Sequence, residues 1–159
     1  LNKIVQDKLN PGNSADCFRA NGFVFKCGDK VICSKNTKTV RNGDIGIVTE
    51  SRNNTLVCDF ETGEEHFTVD DAIDLGIGLA YCITVHKSQG SEFQTVIMPV
   101  SQENQSMLRR NLFYTAVTRA RKKMYLVGDP EQISKTIANN RTSKRNGLLM
   151  QRIRKEFCA

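Results

Sequence analysis

A change in hydrophobic pattern near Asp74 constrains the fold of this chain more than any other feature. Between Phe23 and Asp74, apolar residues form short β-rich runs that are separated by turns containing Gly, Asn or Asp. Beyond Asp74, near-continuous apolar runs alternate with segments of helical periodicity. The first pattern is typical of a small β-barrel. The second predicts an α/β fold in which a parallel sheet is covered on both faces.

The predicted barrel occupies residues 24–75. Its predicted strands are Lys30–Ser34, Ile45–Glu50, Thr55–Phe60 and His66–Val69. Turn residues separate these runs, as in Arg41-Asn42-Gly43-Asp44 and Glu61-Thr62-Gly63-Glu64. Four or five strands within about 50 residues indicate a small barrel.

The predicted α/β domain occupies residues 76–159, and residues 1–23 form a helical lead-in to it. Its predicted strands are Leu79–Thr84, Thr95–Val100 and Met124–Gly128. Apolar residues at helical spacing predict helices at Leu1–Leu9, Met107–Ala120 and Pro130–Ala138.

Composition and charge limit the functional class. The 159 residues are 39% hydrophobic and 25% charged, as in soluble globular proteins. No apolar run approaches the roughly 20 residues of a membrane span, and the N-terminus has no apolar signal-peptide core, so we expect a cytoplasmic protein without membrane contacts. Six basic residues and one acidic residue give residues 141–159 a charge of +5 out of +6. This tail either contacts phosphates or is solvated surface, and both interpretations stay open.

The cysteines give no sign of a metal site. The six cysteines form no Cys-x-x-Cys pair, and neither His66 nor His86 lies at zinc-finger spacing from them. We therefore expect free, mostly buried thiols and no bound metal.

Two polar segments contain the residues best suited to chemistry, Thr84–Phe93 and Asn111–Arg121. We expect the first segment to form a loop at the carboxyl end of the strand that ends at Thr84. Ligands of open α/β sheets collect at such loops. The second segment lies on a predicted helix, with Arg119 near its C-terminal end.

The side chains of these segments suit a nucleotide and a phosphate backbone. Donors for phosphate oxygens are Thr84, His86, Lys87 and Ser88. Gly90 lets backbone approach a ligand, Glu92 offers an acceptor to a ribose hydroxyl, and the planar charge of Arg119 suits a γ-phosphate. Alternatives stay open, because an arginine near a helix end often complements the helix dipole or a surface carboxylate, and a lone histidine is often structural.

The two segments resemble helicase motifs. Thr84–Phe93 is similar to motif V, and Leu112–Arg121 to motif VI, of superfamily 1 DNA helicases; Val85–Phe93 is especially similar to the RecD/TraA branch, superfamily 1B. Further segments resemble that family in the same order, namely Leu1–Pro11, Gly28–Val31, Asn42–Gly46 and Gly128-Asp129. The resemblance covers nearly the whole chain. It implies an incomplete RecA-like domain 2A, of P-loop NTPase and UvrD-like C-terminal type, with an SH3-like insertion 2B at residues 24–75.

The resemblance also implies roles for individual residues. Arg119 is expected to be catalytic, as an arginine finger that reaches the γ-phosphate of ATP across an interdomain cleft. The other residues expected at ATP are Gly90, Glu92 and Gln89. Expected contacts to single-stranded DNA are Thr84, His86, Lys87 and Ser88 of motif V, and Lys30, Lys35, Lys38 and Arg41 of the barrel.

The sequence lacks the phosphate-binding half of such a site. No Gly-x-x-x-x-Gly-Lys-Thr or -Ser loop occurs, and no apolar strand ends in the acidic pair that holds Mg²⁺. The resemblance therefore implies that ATP and Mg²⁺ are held by a first RecA-like domain outside this sequence. Alone, the chain is expected to hold no cofactor and to hydrolyse no ATP.

Two functions stay open from the sequence. The first is the C-terminal fragment of an ATP-dependent 5′–3′ DNA helicase, similar to the exodeoxyribonuclease V alpha subunit or to conjugation-type proteins, with nuclease or relaxase partners. The second is a stand-alone nucleic-acid-binding module with vestigial motor motifs. An upstream Walker A loop would favour the first, and a native start codon near Leu1 would exclude it.

Overall fold

The computed structural model describes residues 1–12, 17–101 and 109–139. Contacts divide the chain into two compact units, Leu1–Phe93 and Gln94–Ala159. The division predicted from the sequence, at residues 23 and 75, stays a prediction.

The first unit contains a long antiparallel region flanked by short helices. Its elements are α1 Asn2–Leu9, β1 Phe18–Ala20, β2 Phe23–Phe25, β3 Lys30–Ile32, β4 Ile45–Arg52, β5 Thr55–Phe60, β6 Gly63–Phe67, α2 Val69–Asp74 and β7 Gly78–Leu79. β3 to β7 form a five-stranded sheet in the order β6-β5-β4-β3-β7, with every pair antiparallel. The first three predicted strands are confirmed. The fourth, predicted at His66–Val69, lies instead at Gly63–Phe67, because Val69 begins α2. The SH3-like character of this sheet stays a prediction.

The core of the first unit is aliphatic and aromatic. Its most deeply buried side chains are Phe18, Phe25, Val31, Val40, Val48, Leu56 and Ile77. Each such side chain contributes about 1.5–3 kcal/mol when it leaves water. Phe18 and Phe25 face each other across the β1–β2 hairpin, with ring centroids 6.0 Å apart. This hairpin therefore closes one side of the core.

The β1–β2 hairpin and α2 were not predicted from the sequence, because elements this short contain too few residues to show a hydrophobic periodicity. The hairpin turns at Asn21-Gly22, where both φ angles are positive, as the type I′ turn of a two-residue hairpin requires. Helix α2 begins at a capping box in which Thr68 Oγ1 accepts from Asp71 N–H and the Asp71 carboxylate accepts from Thr68 N–H. The Thr68 hydroxyl also donates to the Asp71 carboxylate at 2.6 Å, and this bond, together with the one from Thr68 N–H, lowers the pKa of Asp71. Asn-Gly and Thr-x-x-Asp were the local signals available.

The prediction of a strand at Leu79–Thr84 in a parallel sheet is wrong. Only Gly78–Leu79 is a strand, and it pairs antiparallel with β3. Beyond Ala80 the chain leaves the sheet, because the backbone of Cys82 hydrogen-bonds to the Asn2 side chain instead of to a neighbouring strand. The apolar run at this point therefore belongs to the first unit.

The second unit has β-α-β connectivity. Its elements are β8 Phe93–Val100, which begins at the last residue of the first unit, α3 Arg110–Val117, β9 Ala120–Gly128 and α4 Pro130–Ala138. β8 and β9 form a parallel pair, so the predicted α/β class with parallel strands is confirmed. Met107 and Leu108 of the predicted helix, and the basic tail from residue 141, lie outside the described residues.

Helix α4 agrees with its predicted bounds because its start is strongly encoded. The Asp129 carboxylate accepts from Glu131 N–H at 2.9 Å, and Pro130 occupies the first helical turn. Lys135 and Glu131 form an ion pair one turn apart at 2.8 Å, which raises the pKa of Lys135.

Four of the described cysteines are free thiols, namely Cys27, Cys33, Cys58 and Cys82. Cys33 and Cys58 are buried, and burial raises the pKa of Cys58 to about 12. Cys27 is exposed, so the expectation of mostly buried thiols is only partly correct.

In the described ranges, no helix has the length and hydropathy needed to cross a bilayer.

Candidate functional site

Residues 84–91, here called the motif V turn, form a compact hydrogen-bonded turn. Backbone N–H groups donate from Ser88 to Thr84 O at 3.1 Å, from Gln89 to His86 O at 3.3 Å and from Ser91 to Ser88 O at 3.1 Å. Thr84 Oγ1 also accepts from Lys87 N–H at 3.3 Å. The turn thus holds its own shape.

Ser88 anchors the motif V turn from inside. Its side chain is buried, and its hydroxyl donates to Val85 O at 2.7 Å. The other predicted ligand-binding residues of this segment are exposed, namely Thr84, His86, Lys87, Gln89, Gly90 and Glu92. Gly90 has a φ of 91°, and nothing lies within 4 Å of a side chain built there. A ligand can therefore approach the backbone at Gly90 more readily than the hydroxyl of Ser88.

Lys87 connects the motif V turn to the five-stranded sheet. Its ammonium donates to Ser34 Oγ at 2.8 Å, and Ser34 Oγ donates to Gly76 O at 2.8 Å. A side chain built at Gly43 would lie 3.5 Å from Lys87 O. The β3–β4 loop, residues 33–44, therefore packs beside the motif V turn. Sequence reasoning missed Ser34, since 53 residues separate it from Lys87.

The β3–β4 loop presents Lys35, Lys38 and Arg41 to solvent. Its backbone is fixed by Thr37, which donates from N–H to Val40 O at 2.7 Å and accepts from Val40 N–H at 2.7 Å on its hydroxyl. Val40 is fully buried beneath the loop. Three cations on one fixed loop suit a run of phosphates. Lys30, the fourth predicted contact, is exposed on β3.

Arg119 follows the last turn of α3 and lies back along it. Its Nε donates to Thr115 O at 3.3 Å and its Nη2 to Thr118 Oγ1 at 3.4 Å. A guanidinium at this end of a helix complements the negative end of the helix dipole. In this conformation Arg119 therefore complements the dipole of α3, which is one of the alternatives that the sequence left open.

Across the described residues, no group of three or more His, Cys, Asp or Glu side chains is arranged to hold a metal ion. The predicted roles of motif V, of the β3–β4 loop and of Arg119 stay predictions. The structure brings the first two sets together within one unit.

Comparison with known proteins identifies the class of domain. The model of the UvrD-like helicase C-terminal domain matches residues 79–127. This range contains the motif V turn, α3 and Arg119. Over this range the chain is similar to UvrD-like helicase C-terminal domains.

Curated relatives extend the similarity to most of the chain. The ATP-dependent RecD2 DNA helicase of Deinococcus radiodurans is 34% identical over 156 residues, which cover 97% of this chain and 21% of that protein. The RecBCD enzyme subunit RecD of Buchnera aphidicola subsp. Schizaphis graminum is 30% identical over 145 residues, covering 88% and 24%. The first relative is named as an ATP-dependent DNA helicase and the second as a subunit of the RecBCD enzyme. This chain spans less than a quarter of the length of either relative.

Solved structures share the fold. A Pif1 helicase from Bacteroides, crystallised with ADP-AlF3 and single-stranded DNA, aligns with a TM-score of 0.60 at 23% identity, covering 98% of this chain and 43% of that one. A second Pif1 structure, solved at forked double-stranded DNA, aligns with a TM-score of 0.55 at 24% identity, covering 83% and 33%. At these identities the likeness concerns the fold.

Proposed function

We propose that this chain is the C-terminal part of an ATP-dependent DNA helicase of the RecD type, acting with 5′–3′ polarity. The observation that carries the proposal is the 34% identity to the RecD2 helicase, which extends over 97% of the chain. Similarity confined to one motif would fit a vestigial module equally well. Similarity through the sheet and both motifs supports a working motor part.

In this proposal, Arg119 stabilises the charge that develops on the γ-phosphate during hydrolysis. An arginine finger of this kind acts in the transition state more than in ATP binding. The Arg119 guanidinium hydrogen-bonds to Thr115 O and Thr118 Oγ1 at the C-terminal end of α3. Gly90, Gln89 and Glu92 lie at the nucleotide.

The cofactors follow from the same proposal. ATP and Mg²⁺ bind to a first RecA-like domain, because this sequence contains no Walker A loop. The chain alone therefore hydrolyses no ATP. Bound Mg²⁺ would neutralise negative charge on the phosphate oxygens of ATP.

Single-stranded DNA is the proposed polymer substrate. Thr84, His86 and Lys87 of the motif V turn contact its backbone, as do the cations of the β3–β4 loop, and both sets belong to the first unit. Nuclease or relaxase partners belong to the same proposal, since one relative is named as a subunit of the RecBCD enzyme.

Substitution of Arg119 tests the catalytic assignment in the full-length protein. We expect Arg119→Ala to lower DNA-stimulated ATP hydrolysis by about 10³-fold, the lower range for an arginine finger, with DNA affinity nearly unchanged. The matched control is Arg110→Ala, which removes an exposed arginine from the opposite end of α3. Steady-state hydrolysis and fluorescence anisotropy with labelled single-stranded DNA give the two readouts. Near-normal turnover by Arg119→Ala would refute the assignment and favour the binding-module function.

A further inference from the structure

Helix α1 buries a polar stripe instead of an apolar one. Asn2, Gln6 and the C-cap residue Asn10 are spaced four residues apart and therefore lie on one face of the helix. Gln6 is the buried residue of α1, while Ile4 and Leu9 are 62% and 71% exposed. The helix is thus attached to the first unit mainly through carboxamide hydrogen bonds.

Asn2 holds the backbone just before the motif V turn. Its Nδ2 donates to Cys82 O at 2.9 Å, and its Oδ1 accepts from Cys82 N–H at 2.7 Å. One side chain therefore supplies the donor and the acceptor that a neighbouring strand would otherwise give to Cys82. Thr84, where the turn begins, is two residues further along.

Asp29 holds the adjacent residue, Tyr81. The phenol of Tyr81 donates to Asp29 Oδ1 at 2.8 Å, and Asp29 is fully buried. The same carboxylate accepts from Gln6 Nε2, from Asn10 Nδ2 at 2.8 Å and from Lys26 N–H at 2.8 Å. Gln6 and Asn10 thereby connect Asp29 to the polar stripe of α1.

We infer that α1 and Asp29 form a brace that positions the motif V turn. The internal hydrogen bonds of the turn fix its shape, whereas its placement depends on residues 81 and 82 as well as on the contact of Lys87 with Ser34. In the brace, Asn2 holds the backbone of Cys82, Asp29 holds the phenol of Tyr81, and Gln6 and Asn10 hydrogen-bond to Asp29. Among the described residues, no buried side-chain N or O atom lacks a hydrogen-bond partner. A fully satisfied buried network favours one arrangement over others.

Asn2 and Asp29 are therefore positioning residues for the proposed helicase reaction, an inference that rests on the proposed function. In the proposed reaction, Asn2 and Asp29 contact neither the nucleotide nor the DNA and act through the motif V turn. Displacing the turn by a fraction of its size would misplace Gly90, Gln89 and Glu92 relative to ATP. Small errors of placement lower turnover more than they lower binding.

Hydrogen exchange tests the placement directly. In the full-length protein, Asn2→Ala removes both hydrogen bonds to Cys82 while keeping good helix propensity. We expect amide exchange in residues 82–91 to accelerate about fivefold to tenfold, as the loss of one to two net hydrogen bonds predicts. Exchange in β4 and β5 should keep its rate. The matched control is Asp7→Ala, an exposed position on the same helix.

A second variant keeps the test independent of Asn2. Tyr81→Phe removes one hydrogen bond to Asp29 and retains the ring, so we expect a smaller acceleration in the same residues. Unchanged exchange in residues 82–91 for both variants would overturn the brace. Equal acceleration throughout β4 and β5 would overturn it as well, because that result describes general destabilisation.

Kinetics separate this inference from the proposed function. For Asn2→Ala we expect kcat for ATP hydrolysis at saturating single-stranded DNA to fall about tenfold, with the KM for ATP and the Kd for DNA changing far less. A drop in DNA affinity with normal kcat would contradict a positioning role. If the unsubstituted protein shows no DNA-stimulated hydrolysis, the proposed function fails, and the exchange experiment still decides whether the brace exists.

Discussion

Asp29 illustrates how a single buried carboxylate can organise residues that are far apart in the chain. Its oxygens accept hydrogen bonds from two carboxamides, a phenol and a backbone N–H. Burial, the hydrogen bond to the Asp29 carboxylate and the charge of Asp29 together raise the pKa of Tyr81 to about 12. The neutral phenol is therefore the form that the folded protein requires.

This coupling predicts how Tyr81 affects stability at different pH values. Because the pKa is higher in the folded state, the stabilisation by Tyr81 is complete below the ordinary value of 10.0 and is lost as the pH rises through about 12. At pH 8, Tyr81→Phe should lower the free energy of unfolding by about 1–2 kcal/mol, since it removes a hydrogen bond to a charged group.

Urea denaturation at pH 8 and at pH 11 measures the effect, with Tyr125→Phe, which alters an exposed tyrosine, as the control. The loss of unfolding free energy caused by Tyr81→Phe should be smaller at pH 11 than at pH 8. A deficit that is equal at both values would contradict the role of the neutral phenol.

At the scale of elements, the second unit depends on how closely β8 and β9 approach each other at their C-terminal ends. A Cβ built at Gly128 would lie 2.2 Å from Val100 O, which is a backbone atom. No rotation of a flexible side chain can relieve that overlap. Gly128 therefore permits the two strands to end side by side before α4 begins.

Gly128→Ala should accordingly destabilise the second unit by about 1–3 kcal/mol, the usual cost of overpacking. Thermal unfolding followed by circular dichroism measures the change. Gly12→Ala is the control, because a Cβ there would lie 3.7 Å from its nearest neighbour, an ordinary contact. Equal melting temperatures for the two variants would show that the strands separate without cost.

Elements with strong local signals were predictable from the sequence, and elements held by distant partners were not. The strands from Ile45 to Phe60 alternate in hydrophobicity, and α4 has a capping aspartate and Pro130 at its start. Helix α1 was predicted from its apolar residues, yet Ile4 and Leu9 are exposed and Gln6 is buried. Cys82 lies outside the sheet because its backbone hydrogen-bonds to the side chain of Asn2, which is 80 residues away in the sequence. Periodicity within a short window contains no information about such a partner.

At the scale of the whole molecule, positive charge is concentrated where the proposed DNA path requires it. Lys35, Lys38 and Arg41 occupy one fixed loop that packs beside the motif V turn. The candidate residues of that turn could be predicted from motif V, and Arg119 could be predicted from motif VI. The contact between Lys87 and Ser34, which joins the turn to the loop, was not, because it depends on the tertiary fold.

Removing these three cations should reduce the salt dependence of single-stranded DNA binding. Each lost phosphate contact lowers the slope of log K against log salt by about 0.7, so Lys35→Ala, Lys38→Ala and Arg41→Ala together should lower it by about 2. The control removes the same charge from other exposed positions of the first unit, Lys3, Lys8 and Arg52. Anisotropy titrations between low and moderate salt give both slopes. If the slope of the triple variant matches that of the control, the three loop cations do not contact DNA phosphates and are ordinary solvated surface charges.

The bond between Asn2 and Cys82 has a consequence for how such a chain can evolve. Because these residues are neighbours in space, the segment that carries the five-stranded sheet leaves and rejoins the chain at almost the same point. A module with adjacent ends can be lengthened, shortened or exchanged without moving the backbone on either side. Natural or engineered grafts at this junction should therefore preserve Asn2, the backbone at Cys82 and the brace residues that bond to Tyr81 and Asp29.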